Sequence, residues 1–158
     1  MLKFRIFGTT LFLPLMLVSP LRAADCEDVI ARHMVAEAML AAQFIAAAEW
    51  NGMTPGAINE ALKDIVAKSA IEEFSITDSN GHVYLTNATG VDFTFSPDPA
   101  NQPQASAFWP LIDGSKKIII QEARKREIDD KVFKYVGVAG IDRPRIVEVG
   151  VTAGNLCK

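Results

Sequence analysis

Residues 26–50 carry apolar side chains at spacings of three and four: Val29/Ile30, Met34, Leu40/Ala41, Phe44/Ile45 and Ala48. This predicts one helix of about seven turns, from Cys26 to Trp50, whose apolar stripe must be covered by the rest of the chain. Its many alanines raise helix propensity and give a smooth surface that can lie close against a sheet. Asp25 stands where an N-cap belongs, Glu27 and Asp28 fall in the first turn, and Asn51-Gly52 supplies the stop. Thr54 followed by Pro55 opens a second helix, with Ile58, Leu62, Ile65 and Val66 on one face and an end near Lys68.

Beyond Ile71 the apolar period changes from helical to two. Phe74 and Ile76 alternate with Ser75 and Thr77, Asp78-Ser79-Asn80-Gly81 forms a turn, and Val83 to Thr86 alternates back, which predicts a hairpin. A proline-rich stretch from Asn87 to Gln104 reads as mostly loop, and Gln104 to Ile112 as a short helical segment bearing Phe108 and Trp109. Three strands follow, Lys117–Arg126, Val132–Ala139 and Arg145–Val151, joined by hairpin-length connections and therefore forming an antiparallel meander. The expectation is a single α+β domain over residues 24–158, with one five-stranded antiparallel sheet and the long helix packed on one face. A length of 158 residues, 49% of them hydrophobic, suits one domain with its own core.

Residues 1–23 read as a secretory signal peptide. Lys3 and Arg5 precede the apolar stretch Ile6–Val18, and Leu21-Arg22-Ala23-Ala24 offers small residues at a cleavage point after Ala23. An uncleaved anchor is the competing reading, against which the stretch falls short of the ~20 apolar residues that cross a bilayer. Removal of residues 1–23 takes away three basic residues and no acid, leaving 13 basic and 19 acidic residues and a formal charge of −6. So acidic a protein has no cationic footprint for nucleic acid. The bacterial character of the leader favours the periplasm, where disulfides persist, and Cys26 and Cys157 would clasp the two ends together unless both remain free thiols. Asn87-Ala88-Thr89 fits a glycosylation acceptor, relevant only to a eukaryotic exporter.

The order of elements, the segment Glu73-Phe74-Ser75-Ile76-Thr77-Asp78-Ser79-Asn80-Gly81-His82-Val83-Tyr84-Leu85-Thr86-Asn87, and the strands Asp130–Val138 and Pro144–Gly150 resemble the single Cache domains. These are PAS-like extracytoplasmic sensor modules of bacterial chemoreceptors and kinases, and the resemblance spans roughly Asp25 to Thr152. It implies a PAS-like five-stranded sheet, the long helix on one face and a small-molecule pocket on the other. It also implies a place in signal transduction such as chemotaxis. The usual member lies between two membrane spans; here the expectation is a stand-alone exported domain that binds a small molecule or modulates a partner.

Two-residue turns at Asp129-Asp130 and Asp142-Arg143 would pair Arg126 with Phe133, Arg124 with Tyr135 and Glu122 with Gly137, and then Gly137 with Glu148 and Tyr135 with Gly150. In that register Ile119, Val136, Val138, Val147, Val149 and Val151 share the core face with Lys134 near a strand end, while Arg124, Arg126, Phe133, Tyr135 and Glu148 share the other. If the loop and Trp109 cover that second face, Arg124 or Arg126 would hold a ligand carboxylate, Tyr135 would donate to it, and Glu148 would orient the arginine or receive an ammonium. The competing reading is a solvated sheet face with cross-strand ion pairs.

The expected ligand is a small anionic organic metabolite. Expected partners are a membrane receptor or kinase, or a second copy docked through the N-terminal helix; the alternative function is an interaction protein with no ligand of its own. No cofactor or metal is expected: His33 and His82 lack zinc spacing, and the calcium-like start Asp78-x-Asn80-Gly81 has Thr89 where the twelfth position needs glutamate. Neither a Gly-x-Ser-x-Gly elbow nor a phosphate loop is present, so the chain is not read as an enzyme.

Overall fold

The computed structural model describes residues 21–157, with side chains from Cys26 onward; the leader stretch Ile6–Val18 lies outside them. Helix α1 runs from Leu21 to Trp50. It starts earlier than its apolar period suggests, so Asp25 falls inside the helical backbone and is not its N-cap. Met34, Ala38, Ala41, Ala42, Ile45 and Ala48 form its buried stripe. The second helix, α2, spans Pro55–Val66, with Thr54 as N-cap accepting the Ala57 N–H at 3.3 Å and proline in the first turn. Ile58 and Leu62 are buried, whereas Ile65, expected on the same face, is 42% exposed.

Strands β1 (Glu73–Thr77) and β2 (Val83–Thr86) form the expected hairpin. Asp78 closes its turn by accepting the N–H groups of Asn80 and His82 at 2.8 and 3.0 Å. Asn87 is committed inside the fold: its Oδ1 accepts the Phe74 N–H at 2.6 Å and its Nδ2 donates to the Glu72 carbonyl at 3.0 Å.

The last two strands, expected from their alternation, lie antiparallel. With β3 (Ile118–Ile120), β4 (Arg124–Lys125), β5 (Val132–Ala139) and β6 (Ile146–Thr152), the sheet has six strands in the order β2-β1-β6-β5-β3, with β4 beside the other end of β5. The β5–β6 register agrees with the expectation, Tyr135 opposite Gly150, Gly137 opposite Glu148 and Ala139 opposite Ile146.

The third expected strand, Lys117–Arg126, is broken in two, which turns five strands into six. Gln121 turns inward at the break, its Nε2 donating to the Gln104 backbone carbonyl at 3.0 Å and its Oε1 accepting from the Gln104 side-chain amide at 2.8 Å, with both residues buried. The register shifts by one residue across it, from Ile119 opposite Gly137 to Arg124 opposite Phe133. The following turn is longer than two residues, because the Arg126 N–H bonds the Lys131 carbonyl and Asp130 takes a positive φ of 60°. The pairs Arg126–Phe133, Arg124–Tyr135 and Glu122–Gly137 therefore do not form. Ile119 moves to the face away from α1, where it is buried with Phe108 and Tyr135.

Both faces of the sheet are covered. The α1 stripe packs on Val136, Val138, Val147, Val149 and Val151, as the alternation predicts. A 3₁₀ helix over Ala105–Leu111, with Pro110 inside it, lays Phe108 and Leu111 on the opposite face. A disulfide joins Cys26 on α1 to Cys157 just after β6, across 131 residues of sequence, with Cα atoms 5.9 Å apart. Cross-linking so long a loop removes unfolded-state entropy. Non-reducing peptide mapping should recover a Cys26–Cys157 peptide, and the double serine variant should lose up to about 4–5 kcal/mol of unfolding free energy in urea titrations.

Candidate functional site

Of the residues expected to form a ligand site, Arg126, Tyr135 and Glu148 line one chamber with Phe133 packed beside them, while Arg124 and Trp109 lie elsewhere. Arg124 is exposed on β4, and neither it nor Trp109 lines the chamber that holds Arg126, Tyr135 and Glu148. Trp109 packs instead on the β1–β2 turn, its ring 2.9 Å from where a Cβ on Gly81 would stand. Phe133 stacks on Tyr135, ring centroids 5.3 Å apart.

Arg126 is occupied by the protein itself. Its guanidinium donates to both Asp129 oxygens at 2.6 and 2.7 Å, to Glu73 Oε2 and to the Tyr135 hydroxyl at 3.0 Å, and lies 4.2 Å from the Phe133 ring centroid. The hydrogen bond from Arg126 holds the Asp129 carboxyl far below its ordinary range. Burial, followed by the charges of Glu73 and Glu148, pushes the Tyr135 phenol up.

Glu148 sits deepest, 3% exposed, and its Oε2 has no hydrogen-bond partner. Burial, with Glu73 and Glu127 nearby, raises its pKa well above the carboxylate range and favours the neutral acid. The two glycines on this face leave no room for a metabolite. A Cβ on Gly137 would come within 2.7 Å of Phe108, and one on Gly150 within 2.4 Å of Tyr135, so the chain's own rings fill both gaps. What remains is a cavity of about 20 Å³, enough for roughly one water. This face is neither solvated nor open.

Besides a cleft of about 380 Å³ lined by Met39, Ala42 and Gln43 of α1 with Ile118, Val138 and Ile141, two further concavities lie on the α1 side. An apolar groove of about 460 Å³ runs between α1 and α2, lined by Leu40, Ala41, Phe44, Leu62, Ile65 and Phe74. At its rim Glu37 is raised by burial, partly offset by His33.

The second is a mixed polar cleft of about 280 Å³ between the start of α1 and the sheet, lined by Glu27, Asp28, Arg32, Glu122 and Lys134 with Ala31 and Ile120. Lys134 points to the α1 face because it shares the alternation of Val136 and Val138, and its side chain is 2% exposed. Among the described residues its only ionic partner is Glu122, at 3.7 Å, beyond hydrogen-bond reach. The stem is covered, and the ammonium opens on the cleft. The sequence did carry a signal of this site: Lys134 interrupts the apolar alternation of β5 on its helix-facing side. Its neighbours on α1 were not readable from that alternation.

No protein-family model matches the chain, and neither does any curated protein.

The position of Glu148 yields a pH prediction. In the unfolded chain a glutamate loses its proton near pH 4.3, whereas folded Glu148 keeps it to a higher pH. The folded state then binds more protons across that window, so this group makes stability fall as pH rises through it. Glu49, Glu72 and Asp142 act in the opposite sense: burial opposes their ionisation, but their hydrogen bonds outweigh it, and their contribution is lost as pH falls. Glu148→Gln should therefore gain stability relative to wild type as pH rises above the ordinary glutamate range, measured by urea unfolding. Parallel pH profiles would show that Glu148 is ionised in the folded state.

Proposed function

We propose that this chain is an exported, non-catalytic, Cache-like domain of the periplasm that binds a small metabolite bearing a carboxylate, and that the carboxylate sits on Lys134. The observation that carries this is the Lys134 side chain, 2% exposed, whose ammonium opens on the cleft and takes no hydrogen bond from the protein. The wet cleft offers both entry and space, which the closed Arg126–Tyr135–Glu148 face lacks. Export is supported by the basic and apolar leader and by the Cys26–Cys157 disulfide, which suits an oxidising compartment. The long helix on one face of an antiparallel sheet supports the PAS-like reading. A sensing role toward a membrane receptor or kinase follows from the resemblance alone.

A second reading is an interaction protein that pairs with a second copy through α1. The exposed Met39 and Leu40, 52% and 69% accessible, favour it. Sedimentation of the exported protein separates the two readings, since a monomer that binds carboxylates excludes the second.

Lys134→Met tests the first. Methionine retains the apolar stem that packs against α1, so the fold should be about as stable as wild type. Affinity for small carboxylates in calorimetry should fall by ~1.5–3 kcal/mol, the range of a lost charged hydrogen bond. Unchanged affinity in a folded Lys134→Met variant would remove this cleft from the function.

A further inference from the structure

The sheet has two edges, and the chain treats them differently. At β2, backbone groups that β1 does not use are taken up by the protein itself: the Val83 N–H donates to the Phe93 carbonyl at 2.9 Å, the Thr86 N–H to Asn59 Oδ1 at 3.0 Å, and His82 bridges Thr94. At β3, the opposite end of the strand order, no described strand lies along the outer side. The Ala139 N–H donates to the Lys117 carbonyl and the Gln121 N–H to the Tyr135 carbonyl, both at 3.0 Å, and Ile119 stands opposite Gly137 between them. Because backbone direction alternates along a strand, the N–H and C=O groups of Ile118 and Ile120 turn toward the open edge. Their side chains, on the α1 side, are 44% and 48% exposed, and Ile118 lines the cleft that also holds Met39 and Ile141. An apolar edge of this kind is a template for one more strand.

The charges at the two ends of β3 specify the partner. Lysine at an edge normally repels a further strand, but here exposed Lys116 just before the strand is matched by exposed Glu122 just after it, and Ile119 lies midway. A second copy laid antiparallel about Ile119 sets Ile118 against Ile120 and Lys116 against Glu122, and two-fold symmetry makes each pair twice. A slip of register loses both ion pairs. We propose that this chain forms a symmetric dimer in which the β3 edges of two copies pair antiparallel about Ile119, each Ile118 exchanging backbone hydrogen bonds with Ile120 of the other copy and each Lys116 facing the other's Glu122. The two sheets then become one continuous sheet. This contact uses neither the Lys134 ammonium nor the exposed Leu40 of α1, so it stands apart from the carboxylate reading and from a dimer held by the helix.

The test is sedimentation equilibrium on the exported, disulfide-bonded protein, which should show a monomer–dimer equilibrium. Lys116→Glu sets carboxylates against one another at both ends, and Ile120→Lys breaks the apolar pairs; each should weaken dimerisation by roughly ten-fold or more. Both positions are exposed, so circular dichroism should match wild type. Because Glu122 is also the ion partner of Lys134, these two variants leave it in place. Adding Glu122→Lys to Lys116→Glu restores opposite charges and should recover the dimer. Leu40→Lys should leave dimerisation unchanged, whereas it would break a dimer held by α1. Amide hydrogen exchange on wild type gives a readout that needs no substitution: the Ile118 and Ile120 N–H groups should exchange slowly in concentrated protein and fast on dilution. A monomeric wild type overturns the proposal. So does a dimer that survives both Lys116→Glu and Ile120→Lys, a dimer lost in Leu40→Lys, a folded double-charge variant that stays monomeric, or exchange at Ile118 and Ile120 that is equally fast at both concentrations.

Discussion

An antiparallel sheet of this size can keep one face in water, but here aromatic side chains close the face that α1 does not cover. Phe108 and Leu111 descend onto Gly137, and Tyr135 and Phe133 lie across Gly150, so close that a methyl group at either glycine would collide with them. Where these coverings exclude water, a charged group needs a partner or a neutral form. Arg126 satisfies this through Asp129, Glu73 and Tyr135, and Glu127 by accepting the N–H groups of Gln104 and Ala105 at the start of the covering 3₁₀ helix. Glu148 is pushed toward its neutral form by burial and by the carboxylates of Glu73 and Glu127.

The same logic holds α1 in place. Arg145 is fully buried; it donates to Glu49 at 2.8 Å and to the Tyr84 hydroxyl at 2.6 Å, and its other nitrogen meets Asp142. Arg143 joins Glu49 from the surface, and Tyr84 donates to Glu49 at 2.6 Å. This network ties the last turn of α1 to β2 and to the β5–β6 turn. Removing one member would leave a buried charge uncompensated, whereas an exposed ion pair such as Lys68–Asp64 contributes little. With the disulfide at the other end, α1 is fastened twice, and the cleft that contains Lys134 lies at the disulfide end.

Local chemistry made much of the fold readable. Thr54-Pro55 marks a helix start because both residues act on the backbone beside them, and Asp78 to Gly81 closes a hairpin by the same kind of short-range bond. The β5–β6 register was readable because the turn is short and the valines alternate cleanly. The strand before β5 was misread for a definite reason: Gln121 bonds to Gln104, a partner on another element, and that bond breaks the strand and shifts its register. The face assigned to Ile119 changed with it.

By itself, then, the sequence determined the α+β class, the two helices, the hairpin, the helix-facing valines of β5 and β6 and the cysteines available for a clasp, because each depends on periodicity or on residues adjacent in the chain. The tertiary structure decided what fills the space above Gly137 and Gly150, and thus that Arg126, Tyr135 and Glu148 face one another in a cavity for roughly one water. It also decided that Lys134 shares a cleft with Glu27, Asp28 and Arg32. Those neighbours come from opposite ends of the chain, and the pattern of one strand records which face a side chain takes but not what another element brings against it.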